Sequence, residues 1–206
     1  MPNANDPTVH VRRDKRPQGV IAYLTIDDGR GLNVMSSAVM DALAEALLAL
    51  ASDEDLRVVV LSGAGAKAFS AGADIKEMAA IENPEEAKAL IMRLHRSCDT
   101  IRNLPVPVIA GIHGFCFGAG LEIAAACDVR LACEAASFGM PEVKIGIPSV
   151  IEAALFPLLT GWAARAKSCC SAKLSLRARR WLGDWSSTSC RRQTSTRRSK
   201  LGSVSS

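Results

Sequence analysis

Two glutamates in this 206-residue sequence have surroundings that could support acid–base chemistry. Glu122 lies just inside a predicted helix in GFCFGAGLEIAAACD, and Glu142 lies among apolar and small residues in FGMPEVKIGIP. Burial in an apolar pocket raises the pKa of a carboxyl group, which can then act as an acid near neutral pH. Two carboxylates in one pocket can divide the acid and base roles between them. Taken singly, each glutamate is more typical of a solvated helix or loop residue, so the pair needs further support.

Two glycine-containing loops could supply backbone N–H groups beside these carboxylates. The first is KAFSAGADIKEM (67–78), and the second is GIHGFCFGAGLEIAAACD (111–128), which runs from a strand into a helix. Neither loop has the Gly-Lys-Ser/Thr ending of a phosphate loop or a dinucleotide-binding glycine pattern. The glycines are compatible with tight turns alone. If one N–H group from each loop converges on the same carbonyl oxygen, the two form an oxyanion hole.

Alternating strands and helices must position these loops. The β-branched run GVIAYLTID (19–27) predicts a strand, and LRVVVLSG (56–63) predicts a second, buried strand. VPVIAGIHG (106–114) and VRLAC (129–133) predict two more, with a helix from about Gly120 between them. This alternation indicates an α/β layered fold with a largely parallel sheet.

Two longer helices are predicted from capping residues and apolar spacing. Ser36 or Ser37 caps the first, and Asn83 with Pro84 begins the second. The expected core faces are Met40, Leu43, Leu47 and Leu50 on the first helix, and Ala87, Leu90, Ile91, Leu94, Cys98 and Ile101 on the second.

Composition places the chain in a reducing, aqueous compartment. The N-terminus has no apolar signal-peptide region, and no apolar run is long enough to cross a bilayer, so we expect a cytoplasmic protein. The seven cysteines have no metal-ligand or disulfide-framework spacing; four are expected as reduced core residues, namely Cys98, Cys116, Cys127 and Cys133. Charge is divided unevenly, because residues 1–162 carry about six net negative charges and residues 163–206 about ten net positive charges.

The motifs AFSAGADIKEM, GFCFGAGLEIAAACD and FGMPEVKIGIP, in that order, resemble the enoyl-CoA hydratase/isomerase (crotonase) family. The resemblance covers roughly residues 18–162 and implies a crotonase-like spiral of ββα units that binds acyl-CoA. By motif position, it implies an oxyanion hole from the N–H groups of Ala73 and Ala119. It implies a substrate-binding segment formed by Ala71, Gly72, Ala73, Asp74, Ile75, Lys76 and Gly118.

The same resemblance implies that Glu122 and Glu142 handle water in hydration of a 2-enoyl-CoA, with Glu122 as the base and Glu142 as the donor to the α-carbon. It implies no cofactor or metal beyond the coenzyme A of the substrate, and a homotrimer or hexamer. Isomerisation and thioester hydrolysis use the same oxyanion hole and stay open as alternatives. After Ile147–Pro148 the chain has SVIEAALFP, where well-studied hydratases have a glycine-rich stretch, and this difference bears on the substrate and the reaction.

The sequence divides into a polar N-terminal segment (1–17), the crotonase-like core (18–162) and a basic, Arg/Ser-rich tail (163–206). Taken as written, the tail is a disordered arm that could bind nucleic acid through phosphates, in a protein that is then not a catalyst. The alternative is that the tail is translated out of frame. Codons permitted for Lys167 to Trp185, shifted by one base, read ELLLGETISAREALAWGL, which resembles what the family has after its L-x-G-W motif. We favour the frameshift, and we therefore do not expect nucleic acid as a partner. A membrane is not expected as a partner either, because no apolar run is long enough to cross one.

A frameshift would remove the C-terminal helices that the resemblance implies for the acyl-CoA pocket and the trimer. We therefore expect the 206-residue chain to fold poorly and to have little or no activity, because apolar helix faces would stay exposed.

Resequencing the DNA across the codons for Leu159 to Leu176 tests the frameshift. We predict that one base is missing, or two are gained, between the codons for Gly161 and Ser168. A reading frame that proves correct as written would contradict this prediction and would leave the basic tail as a genuine segment.

Overall fold

The computed structural model describes residues 8–142, 146, 151, 152 and 154–160. The basic tail (163–206) and most of the segment from 143 to 150 lie outside the described residues, as do the predictions made for them.

Eight strands form two sheets. The strands are β1 (Thr8–Arg16), β2 (Gly19–Asp27), β3 (Leu56–Gly63), β4 (Ala68–Ser70), β5 (Val108–Ile112), β6 (Phe115–Phe117), β7 (Val129–Ala132) and β8 (Ser137–Gly139). The larger sheet has the order β1-β2-β3-β5-β7, and the smaller has the order β4-β6-β8. Only the β1–β2 pair is antiparallel among the described pairs, so the sheet is largely parallel, as predicted.

Five helices lie between or after these strands. They are α1 (Ser37–Ala51), α2 (Ile75–Ala79), α3 (Pro84–Arg102), α4 (Ala119–Ala126) and α5 (Leu155–Thr160). Ser36 caps α1 by accepting a hydrogen bond from the Val39 amide, and Asn83 caps α3 by accepting one from the Glu86 amide. These side chains satisfy N–H groups that have no partner within the helix. Both predicted caps are confirmed.

The chain repeats one structural unit, in which a strand of the larger sheet is followed by a strand of the smaller sheet. The pairs are β3 with β4, β5 with β6, and β7 with β8. Helices follow the first two pairs, which gives the spiral of ββα units expected from the resemblance. Because β4, β6 and β8 run parallel, the chain leaves all three strands at the same side of the smaller sheet.

One core cluster is formed by residues of both sheets and of helices α1, α3 and α4. The apolar residues of α1 predicted to face inward are all buried. On α3 the inner positions Leu94, Cys98 and Ile101 are also buried. The prediction was wrong for Ile91, which is 38% exposed, whereas Leu90, one position earlier on the helix, is half-buried and packs against the core. Cys98, Cys116 and Cys127 are buried free thiols as expected, whereas Cys133 is half-buried.

Strand β1 was not predicted, because its sequence, TVHVRRDKR, alternates poorly and is rich in charge. Its hydrogen bonds come from the antiparallel ladder with β2, which pairs Thr8 with Asp27 through to Arg16 with Gly19. The Arg12 guanidinium lies 3.9 Å from the centre of the Tyr23 ring on that partner strand. Pairing with an apolar neighbour thus specifies a strand that local propensity alone does not favour.

Candidate active site

Helix α4 carries Glu122 in its first turn, and every residue of this helix is buried. The helix begins after Gly118, whose φ of 50° lies in the left-handed region that suits glycine. Glu122 itself is only 3% exposed. A carboxylate so placed is stabilised by the helix N-terminus but has lost most of its hydration.

The buried carboxylate of Glu122 accepts a hydrogen bond from the backbone amide of Glu152, with 3.1 Å between N and Oε1. The pKa of Glu122 is raised to about 7, chiefly by burial; the hydrogen bond from the amide of Glu152 lowers it, and the negative charges of Glu142 and Glu152 raise it. The net result is a carboxyl group that can take up or release a proton near neutral pH.

Glu142 follows β8 and brings its carboxylate beside Gly118, at the start of α4. A methyl group on Gly118 would collide with Oε1 of Glu142. The Oε2 atom of Glu142 is buried and has no hydrogen-bond partner among the described residues. Burial also raises the pKa of this carboxyl group. The structure therefore places both predicted glutamates at the same end of α4, with their charges coupled.

The two glycine-containing loops meet at Gly72 and Gly118. A Cβ atom built on Gly118 would lie 3.7 Å from the Cα of Gly72, and one built on Gly72 would lie 3.2 Å from the carbonyl oxygen of Phe117. Gly72 has a φ of +106°, which also favours glycine. These two glycines immediately precede Ala73 and Ala119, the predicted donors. Among the described residues we find no hydrogen-bond acceptor for the amide of Ala73 or Ala119.

Several hydrogen bonds fix the first loop. The Ala71 amide donates to Leu32, and the Gly72 carbonyl accepts from the Met35 amide, each at 2.9 Å. The Gly72 amide donates to Oγ of Ser70 at 3.2 Å. These bonds hold the chain on both sides of Ala73, so that its amide direction is set by the fold.

The remaining predicted binding residues continue from this loop into α2. The sequence predicts a loop over 67–78, whereas the structure has a short helix from Ile75. Asp74 caps α2 by accepting hydrogen bonds from the amides of Lys76 and Glu77. Ile75 is 64% exposed and Lys76 is also exposed. Glu77 accepts hydrogen bonds from the amide and hydroxyl of Ser37, each at 2.8 Å, and thereby ties α2 to α1.

Sequence reasoning missed Glu152 and His95 as residues of this region. Glu152 is 6% exposed, and its Oε1 lies 2.6 Å from Nδ1 of His95, which projects from α3. Glu152 is the one charged residue in the apolar run from 147 to 159, which was a signal of a buried partner. Its partner could not be identified from sequence, because the two residues are 57 positions apart.

Within the part of the chain that the structure describes, no group of three or more His, Cys, Asp or Glu residues could hold a metal ion. None of the described helices has the length and apolar character needed to cross a membrane.

Comparison with known proteins identifies the family. The family model described as enoyl-CoA hydratase/isomerase matches residues 16–161. A probable enoyl-CoA hydratase of Bacillus subtilis is 39% identical over 127 residues, which cover 62% of this chain and 48% of that protein. The short-chain-enoyl-CoA hydratase of Clostridium acetobutylicum is 38% identical over 130 residues, covering 63% of this chain and 49% of that protein. The chain thus spans about half the length of the curated relatives it matches.

Solved structures give the same result for the fold. An enoyl-CoA hydratase/carnithine racemase from Magnetospirillum magneticum has a TM-score of 0.77 at 35% identity, covering 84% of this chain and 63% of that one. An enoyl-CoA hydratase from Mycobacterium smegmatis has a TM-score of 0.77 at 32% identity, covering 84% and 67%. With a family model that matches most of the sequence and a shared spiral of ββα units, the chain belongs to the enoyl-CoA hydratase/isomerase family.

Proposed function

We propose that this protein is a hydratase-like lyase that adds water across the double bond of a 2-enoyl-CoA. The observation that carries the proposal is the meeting of two carboxylates, the buried Glu122 and the half-buried Glu142, at the start of α4, with the pKa of each raised. Hydration needs one group that removes a proton from water and one that delivers a proton to carbon. Relatives named as hydratases, at 38–39% identity, support this reaction class.

The thioester carbonyl would be held by the amides of Ala73 and Ala119. Gly72 and Gly118 bring the two loops close enough for this, and the N-terminus of α4 adds its dipole to the second amide. As water adds, negative charge moves from the double bond onto the thioester oxygen. Two fixed N–H donors stabilise that charge without any reorganisation, which is the largest contribution expected from such a site.

The two glutamates would complete the addition. Glu122 takes a proton from water, the water oxygen forms a bond to the β-carbon, and the electron pair of the double bond moves toward the thioester. Glu142 then gives its proton to the α-carbon, and the thioester carbonyl re-forms. With a pKa of about 7, Glu122 is a stronger base than an ordinary carboxylate and is still partly ionised at neutral pH.

The segment from Ala71 to Lys76 would lie along the pantetheine of the substrate, and no cofactor beyond that coenzyme A takes part. We propose a cytoplasmic homotrimer or hexamer as the assembled form, and little activity for the chain if its tail is out of frame. Isomerisation and thioester hydrolysis use the same carbonyl site. Retention of both carboxylates favours hydration over an isomerisation that needs only one.

Product analysis tests the proposed function directly. Incubation of the protein in its corrected reading frame with crotonyl-CoA is expected to yield 3-hydroxyacyl-CoA, which mass spectrometry detects by the added mass of one water, whereas the 206-residue chain should form little of it. Glu122→Gln and Glu142→Gln should each lower the rate by about 10²-fold or more, because each removes one proton-transfer group. Glu134→Gln, at an exposed position outside the site, is the matched control and should keep the wild-type rate. A product with an unchanged mass, or free coenzyme A, would replace hydration with isomerisation or hydrolysis.

Gly118→Ala tests whether contact between Glu142 and the start of α4 is required. The new methyl group would collide with Oε1 of Glu142, so we expect loss of hydration and weaker binding of acyl-CoA. Gly65→Ala is the matched control, because Gly65 also has a positive φ, of +69°, but open space where the methyl group would lie. Both variants should lose about 1 kcal/mol of stability from backbone strain. Equal rates in the two variants would show that the contact with Glu142 does not matter.

The raised pKa of Glu122 predicts a pH-dependent stability. A carboxyl group with a pKa of about 7 when folded, and about 4.3 when unfolded, binds its proton more tightly in the folded state. Its contribution to stability is therefore full below about pH 4.3 and is lost as the pH rises to 7, a total of about 3 kcal/mol. The glutamine of Glu122→Gln does not ionise, so this variant does not share that loss. Its stability relative to wild type should therefore increase as the pH is raised from about 5 to about 8.

Urea denaturation of wild type, Glu122→Gln and Glu134→Gln at both pH values measures this difference. A stability difference between Glu122→Gln and wild type that does not change with pH would show that Glu122 titrates normally in the folded protein.

A further inference from the structure

Residue 152 makes two contacts of different kinds, and together they connect α3 to the first turn of α4. Its backbone amide donates to Oε1 of Glu122 at 3.1 Å. Its side-chain Oε1 lies within hydrogen-bond distance of Nδ1 of His95, at 2.6 Å. His95 reaches this carboxylate from α3 with 47% of its side chain exposed, whereas the Glu152 side chain is 7% exposed.

The Glu152 side chain stands in the stretch where the sequence departs from the glycine-rich pattern of well-studied hydratases. Burying a carboxylate is costly unless it is paired, so an unpaired glutamate in this apolar stretch would turn outward. Pairing with His95 keeps it inside. The backbone of residue 152 is consequently held at the position from which its amide reaches Glu122.

We propose that Glu152 and His95 form a positioning pair that fixes the Glu122 carboxylate and controls its proton affinity. This proposal rests on the proposed function only where it predicts changes in the rate of hydration. The amide of residue 152 holds Oε1 of Glu122 in place and favours its ionised form, and the Glu152 carboxylate adds a nearby negative charge that favours its protonated form. His95 controls both, because it holds residue 152 in place.

Other titratable groups also face Glu122. Glu142, from the segment after β8, raises the pKa of Glu122, as does Glu152. The thiol of Cys98, on α3, is buried and coupled to both Glu122 and Glu152, and its own pKa is raised well above the usual range, so it stays neutral. Of these three groups, Glu152 alone has a basic side chain within hydrogen-bond distance among the described residues. Its effect on Glu122 is therefore the one that a neighbouring side chain can change.

The test follows the titration of the Glu122 carboxyl carbon by NMR in the full chain, labelled with ¹³C-glutamate. Glu152→Gln keeps the shape of the side chain and an oxygen for His95 but removes the charge. It should lower the midpoint of Glu122 by about one pH unit. His95→Ala removes the partner and loosens the amide of residue 152, so Glu122 loses a hydrogen bond that favours its ionised form and the midpoint should rise. His95→Asn, which restores a side-chain donor, should return the midpoint toward the wild-type value.

A second histidine–carboxylate pair serves as the control. His10 and Asp27 lie 3.1 Å apart on β1 and β2, away from α4. His10→Gln and Asp27→Asn should leave the titration of Glu122 unchanged. If Glu152→Gln and His95→Ala leave the midpoint unchanged, or shift it in the same direction, the positioning role is wrong.

Kinetics separates this inference from the proposed function. If the wild-type chain hydrates crotonyl-CoA, Glu152→Gln and His95→Ala should lower kcat about tenfold with little change in KM, as expected for a misplaced catalytic group. If the wild-type protein in its corrected reading frame forms no hydrated product, the proposed function fails, and the two opposite shifts of the Glu122 midpoint still decide whether the pair positions Glu122.

Discussion

Burial of the Glu122 carboxylate is the constraint on which the rest of the site depends. A charged group that is 3% exposed is tolerated only where dipoles and donors replace its lost water. Here the first turn of α4 supplies a dipole, and the amide of residue 152 supplies a hydrogen bond. These replacements are incomplete, which is why burial still raises the pKa of Glu122 to about 7. The incomplete compensation costs stability, and it is also what makes the group basic enough to act on water.

The repeated ββα unit explains why distant segments of sequence converge on this carboxylate. Each repeat adds one strand to the smaller sheet, and the chain leaves that sheet at the same side after β4, β6 and β8. The three exits carry Gly72, Gly118 and Glu142 respectively. The positive φ of Gly72 and of Gly118 favours glycine at both positions, and the Glu142 carboxylate occupies the space that a side chain at Gly118 would take. Topology thus supplies proximity, and the glycines make it sterically possible.

Local signals in the sequence were enough to predict the strands at 19–27 and 56–63 and the caps Ser36 and Asn83. They could not predict β1, whose strand conformation depends on its partner, or the exposure of Ile91, which depends on where the core ends. The positions of Glu122 and Glu142 were predicted through motif order, because each glutamate alone has an ordinary context. The Glu152–His95 pair was missed since it joins a loop to a helix 57 residues earlier.

Coupling between Glu122 and Glu142 has a consequence for the proposed hydration. The reaction needs one ionised carboxylate and one protonated carboxyl group at the same moment. Two carboxylates that share a poorly hydrated site resist ionising together, so over a range of pH the pair holds a single proton. The charge of Glu142 raises the pKa of Glu122, as this argument requires. Electrostatic repulsion, which opposes folding at this position, therefore favours the protonation state in which one glutamate can accept a proton and the other can donate one.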